Sequence, residues 1–140
     1  MFGLLNWLLG PEAEARRLNK DAAYIVQALE DEHYGPQAGI GAIARDLRGD
    51  IDYAFETFIG KGPDAGKAYG HVRAEDQLQR MHREATRGRD QQALSALTLA
   101  LIYVRADRLG PPAAAARASI DQFLVDWGPT ETGDRGPGTE

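Results

Sequence analysis

The 140-residue chain contains no cysteine. Disulfides, thiolate metal sites and a cysteine nucleophile are therefore excluded, and the redox compartment is left open. Serine is scarce: Ser95 and Ser119 stand alone, neither inside a Gly-x-Ser-x-Gly turn, which argues against a serine hydrolase. Alternating β-branched runs and Asn-Gly turns are missing, so strands are not expected. A phosphate-cradling loop is missing too. GIGAIA at 39–44 has no strand before it, and GPDAGKAYG at 62–70 lacks both the P-loop spacing and the Ser or Thr after its lysine. No apolar run approaches the ~20 residues that a membrane-spanning helix needs. Basic charge is in deficit: the net charge of −5 argues against a surface built as a whole for nucleic acid.

What the chain does have begins at its first residue. MFGLLNWLLG carries seven large hydrophobes and no charge before Gly10-Pro11 ends it. It is half the length of a span, and no Lys or Arg precedes Arg16, so it lacks the basic region of an export signal, although Ala13-Glu14-Ala15 has the small residues of a cleavage site. An interfacial membrane helix ordinarily opposes a basic face to its apolar one, and within the decamer only Asn6 and two glycines are not apolar. The expectation is a short helix or arm, with Phe2, Leu5, Trp7, Leu8 and Leu9 packing on the body or on a partner chain. Peripheral membrane contact through the same residues is the second reading, and a cytoplasmic location, membrane-associated in that second case, follows.

Glycine and proline punctuate the rest. Gly is favoured just past a helix and Pro in its first turn, and the pair recurs at 10–11, 35–36, 62–63, 110–111 and 128–129. Gly88 and Asp90 supply a further stop and N-cap. Helices are expected at about 12–33, 37–59, 64–87, 90–109 and 112–127. Ala15, Leu18, Ala22, Ile25 and Leu29 form an apolar face on the first. Ile40, Ile43, Leu47, Ile51, Phe55, Phe58 and Ile59 do so on the second, and Ala116, Ile120, Phe123, Leu124 and Trp127 on the fifth. The third has only Tyr69, Val72, Leu78 and Met81. The fourth, ALSALTLALIYV, is apolar on nearly every side and belongs in the middle. Gly49-Asp50 offers a stop and a fresh N-cap that would divide the second helix.

These features predict an all-α fold: an antiparallel four- or five-helix bundle over 11–127, with a hydrophobic arm at 1–10 and a disordered tail at 128–140. A helical-repeat stack ranks second, and no internal repeat favours it.

Chemistry has few places to sit. Of three histidines, His33 has the most suggestive setting, with Glu30 at i, i+3, the unit from which carboxylate-bridged metal bundles are built; no second Glu-x-x-His accompanies it. Glu30 and His33 are thus the only candidate metal ligands, and no cofactor is expected. Tyr24, Tyr53, Tyr69 and Tyr103 read as core edges rather than a cofactor pocket. Charge is unevenly spread: residues 61–89 hold seven bases against four acids, whereas 1–60 hold five against ten. Arg73, Arg80, Arg83, Arg87 and Arg89 form a basic stripe, interrupted by Glu75, Asp76 and Glu84. First among the functional readings is a non-catalytic helical interaction or regulatory module acting through protein contacts, as an adaptor to a partner or as a homo-oligomer. A bundle enzyme or ligand-binding protein with a pocket among its helices, metal-dependent through Glu30 and His33, comes second. A phosphate or nucleic-acid binder using the arginine stripe comes third.

Overall fold

A computed structural model describes residues 2–33, 39–60 and 68–129, apart from the side chains of 2–9, 33 and 68. Five α-helices follow one another: α1 (Phe2–His33), α2 (Ile40–Ala54), α3 (Ala68–Arg87), α4 (Gln91–Leu109) and α5 (Ala114–Trp127). Among the described residues there is no strand. A single π turn, Phe55–Ile59, prolongs α2, and a 3-10 turn, Pro111–Ala113, leads into α5. The tail expected beyond 128 lies outside the described residues from 130 onward.

Helix α4 is central, as its apolar circumference implies. Ala96, Leu97, Leu99, Ala100, Leu101, Ile102, Tyr103, Val104 and Ala106 are all buried, which one neighbouring helix could not achieve. Cross-helix contacts give the directions. Residues 71, 75 and 82 of α3 meet 107, 105 and 98 of α4, so those two run antiparallel. Tyr103 and Asp107 meet Asp121 and Arg117 on α5, again antiparallel. Glu14 meets Arg108, so α1 starts where α4 ends. Asp46 meets Gln92 and Phe55 meets Tyr103, so α2 runs parallel to α4. The sense of the chain thus alternates from each helix to the next, the antiparallel order that the short links imply.

Spatial neighbours are less sequential. α1 packs chiefly along α5 and α4, and only lightly on α2. Two hydrogen-bonded contacts fix that parallel pair. The Asn19 side chain donates to the Pro112 carbonyl (3.0 Å) and accepts from the Ala116 amide (2.8 Å), satisfying one of the open N–H groups at the start of α5. Eleven residues further along both helices, Trp127 Nε1 donates to Glu30 Oε2 at 3.0 Å. The core contains Leu47, Leu78, Leu99, Val104, Ile120 and Phe123 as its largest fully buried side chains. Each such burial stabilises the fold by ~1.5–3 kcal/mol.

Three local expectations are revised. Helix α2 is not divided at Gly49; it continues because Ala44, Leu47, Ile51 and Ala54 form one buried stripe across that glycine. At the end of α3 the left-handed residue is Arg89 (φ 55°), one place later than Gly88. The Arg89 amide bonds the Thr86 carbonyl and the Asp90 amide the Ala85 carbonyl, the paired closure of a Schellman end. Finally, Phe55 to Ile59 widen into a π turn, against which α3 comes close: a Cβ on Gly70 would stand 2.7 Å from the Phe58 carbonyl oxygen. Only glycine permits that approach.

Candidate functional site

The decamer is helical over Phe2–Leu9, and it is set apart from the rest of α1 by its last residue. Gly10 takes φ 69° and ψ −166°, a region essentially reserved for glycine, inside an otherwise continuous helix. Pro11, with no N–H to leave unsatisfied, then starts the new helical course. From there Ala15, Leu18 and Ala22 turn inward and are buried. On the outward side Arg16, Arg17, Lys20 and Tyr24 are exposed, Tyr24 by 74%. The side chains of Phe2, Leu5, Trp7, Leu8 and Leu9 lie outside the described set, so the contacts expected of them are neither seen nor opposed.

Two clefts flank α4. One, of about 480 Å³, runs between α1 and α3 and has Leu101 and Ile102 of α4 among its lining residues. Its walls carry Glu14, Arg17 and Asp21 on one side and Glu75 and His82 on the other, with Arg105 reaching in from α4. Arg105 Nε donates to Glu75 (2.6 Å) and Arg108 to Glu14 (3.0 Å), two part-buried ion pairs. Thr98 gives its hydroxyl hydrogen to the Leu94 carbonyl, so its oxygen accepts from His82 Nε2 at 3.3 Å. His82 therefore has a hydroxyl rather than a carboxylate as its orienting partner. A second cleft, of about 470 Å³, lies among α1, α2 and α4 and includes Tyr24, Ile43, Gln92 and Ser95.

Beside these runs a polar network that the sequence pattern does not announce. His71 Nε2 donates to Asp107 Oδ2 (2.8 Å), and Asp107 Oδ1 accepts from Arg117 Nη1 (2.7 Å). Arg117 Nη2 reaches the Tyr103 hydroxyl (3.2 Å), which in turn donates to Asp121 (2.9 Å). The Arg117 guanidinium also stands over the Tyr103 ring, 5.1 Å from its centroid. Burial, followed by the Asp121 hydrogen bond, pushes the Tyr103 hydroxyl above its ordinary range against the pull of Arg117. A His–Asp pair is the orienting half of a general base. Here, however, His71 Nδ1 is wholly buried and without a partner, so no substrate atom can reach it. The network joins α3, α4 and α5 and acts as a clamp.

The remaining expected residues are placed as follows. Glu30 serves the Trp127 indole, and the His33 side chain lies outside the described residues. Among the described residues no group of three or more His, Asp or Glu is arranged to hold a metal ion. The arginine stripe lies on the exposed side of α3, but it is not a row of open cations. Arg80 pairs with Asp76 (2.9 Å), Arg87 lies 3.9 Å from Glu84, and Arg73 covers the Phe58 ring. Arg83 is exposed, and Arg89 sits in the turn beyond the helix. Tyr24, Tyr53, Tyr69 and Tyr103 do not converge: the first three are exposed and only Tyr103 is buried. Among the described residues no helix is long and apolar enough to cross a membrane. No protein-family model, no curated protein and no solved structure matches the chain.

Proposed function

We propose that this protein is a non-catalytic docking module, in which the bundle is a platform and the helix Phe2–Leu9 is the element that engages a partner. The observation that carries this reading is the Gly10 break, which separates the most apolar stretch of the chain from the seam by which α1 joins the core. The central helix is already covered by α1, α2, α3 and α5. A helix that is apolar on almost every side must be buried somewhere, and an additional apolar helix on a covered core is suited to a second body. The test is removal of residues 2–9. The shortened chain is expected to keep its helical circular dichroism and a melting temperature within a few degrees, while sedimentation velocity shows the loss of self-association or of partner capture. Collapse of the melting transition would overturn the reading, because the decamer would then be core.

The α1–α3 cleft supports a second reading, a small polar ligand held by Arg17, Asp21, Glu75 and His82 over an apolar floor. Amide shift changes on titrating charged metabolites, abolished in His82→Ala, are its signature. A phosphate-binding role for the arginine stripe has less support, since Asp76 and Glu84 already occupy Arg80 and Arg87.

A further inference from the structure

Resting on the docking reading, we propose that the body engaged by Phe2–Leu9 is the surface of a membrane containing anionic lipid, with Arg16, Arg17 and Lys20 lying on its headgroups. Within the decamer the missing requirement for an interfacial helix is a basic face. The structure supplies one immediately beyond the Gly10 break. Ala15, Leu18 and Ala22 point α1 into the core, which turns Arg16, Arg17 and Lys20 to the outside within three helical turns of the apolar segment. None of the three is held in an ion pair among the described residues, unlike Arg80, Arg105, Arg108 and Arg117. Tyr24, one turn further on and 74% exposed, adds an amphipathic ring of the kind that settles at headgroup depth.

Geometry limits the depth. Eight helical residues extend ~12 Å, less than half the ~30 Å hydrocarbon core, so the segment can enter one leaflet only. The neighbouring basic side chains favour lipid over a protein groove: an anionic headgroup layer takes up Arg16, Arg17 and Lys20 together without a matched partner surface.

Charge elsewhere is compatible. Glu12 and Asp21 are exposed near the basic side chains and reduce the local excess to one positive charge, while Glu14 is turned toward Arg108. The chain as a whole carries −5, but its acidic cluster begins at Glu30, ~15 Å along α1 from Lys20 and ~20 Å from Arg17. These are about two Debye lengths at physiological salt (~8 Å each), so its repulsion at the contact is largely screened.

The experiment uses the full chain carrying Trp127→Phe, which leaves Trp7 as its indole, with vesicles of phosphatidylcholine alone or mixed with phosphatidylserine. Flotation with the mixed vesicles, a blue shift of Trp7 emission and weakening in high salt are expected. The triple variant Arg16→Gln, Arg17→Gln, Lys20→Gln should bind the mixed vesicles about a hundredfold more weakly, at roughly one kcal/mol for each of the three basic side chains removed. Leu5→Glu with Leu8→Glu should abolish flotation while the helical signal is retained. Equal binding to both vesicle types, or binding indifferent to the triple variant, overturns the proposal. Absence of flotation together with self-association that disappears on deleting residues 2–9 overturns it and leaves the docking module intact. Blue Trp7 emission without vesicles, in a monomer that the same deletion unfolds, overturns both.

Discussion

Asp107 is the residue whose removal should cost most for its size. Its two carboxylate oxygens serve different helices, Oδ2 accepting from His71 on α3 and Oδ1 from Arg117 on α5. In Asp107→Ala both donors lose their acceptor, and their fates differ. The His71 side chain is 8% exposed and already has a buried, unpartnered Nδ1, so its Nε2–H would become a second orphan in the same ring. A buried donor left unsatisfied costs ~1–3 kcal/mol. Arg117, 41% exposed, can turn its Nη1 to water and loses less, about 0.5–1 kcal/mol. The sum is roughly 2–4 kcal/mol, a large part of the 5–15 kcal/mol that separates folded from unfolded domains. For a chain of this length that corresponds to a fall in melting temperature of ~7–14 °C.

Urea unfolding followed by circular dichroism would measure it, with a companion variant to identify the cause. His71→Phe removes the ring donor and fills much of the same space, so Asp107→Ala should cost at least about 1 kcal/mol less in that background than alone. Additive losses, or a single-variant cost under about 0.5 kcal/mol, would refute the clamp and make the pair an ordinary surface contact.

Other perturbations probe single residues elsewhere in the fold. The Asp50 carboxyl is pushed up to about 6 by burial and by the neighbouring charge of Asp46. A folded-state value above the ordinary 3.8 means that its contribution to stability is present below pH 3.8 and is lost as pH rises through about 6. Asp50→Asn should therefore match the parent near pH 4 and exceed it at pH 7 by ~1 kcal/mol, a ceiling of about 3 having been discounted for a part-exposed group. A pH-independent difference in denaturation midpoint would contradict this. Arg89→Gly should raise stability by about 0.5 kcal/mol, since relief of a left-handed Cβ (~1–2 kcal/mol) outweighs the entropy of glycine (~0.5–1 kcal/mol). A lower denaturation midpoint would show that the Arg89 side chain holds the turn. Gly70→Ala, by contrast, should lower the melting temperature despite alanine's better helix propensity, because the new Cβ meets the Phe58 carbonyl at 2.7 Å and overpacking costs ~1–3 kcal/mol. A gain in stability would mean that α3 does not approach the π turn so closely.

The elements most legible in the sequence are those whose patterns have one physical solution. ALSALTLALIYV has no polar face to give to water, and it is the covered centre of the bundle. Asp90 before an apolar run is an N-cap, and its carboxylate does accept from the Ala93 amide at 3.0 Å. Gly49 shows where local signals fail. A glycine within a helix costs about 1 kcal/mol, and the buried stripe from Ala44 to Ala54 exceeds that easily, so a stop signal is overridden by packing. The preference of α1 for α5 over α2 could not be read locally, because the Asn19 cap on Ala116 joins residues 97 apart.

The polar clamp was hidden for a related reason, and it also shows what to look for. Its members occupy positions 71, 103, 107, 117 and 121, so no short motif contains them. Each half nevertheless carries a mark. Tyr103 and Asp107 stand one turn apart where the apolar run of α4 gives way to its polar end, and Arg117 and Asp121 stand one turn apart on the helix that follows. Here the two pairs lie on the facing sides of consecutive antiparallel helices, within hydrogen-bond distance of each other. Burial then obliges them to bond, because an unpaired polar group there costs more than the bond itself returns. In the sequence His71 and Arg117 stand 46 positions apart, and no local pattern joins them. Only the folded chain shows that they close on the same carboxylate.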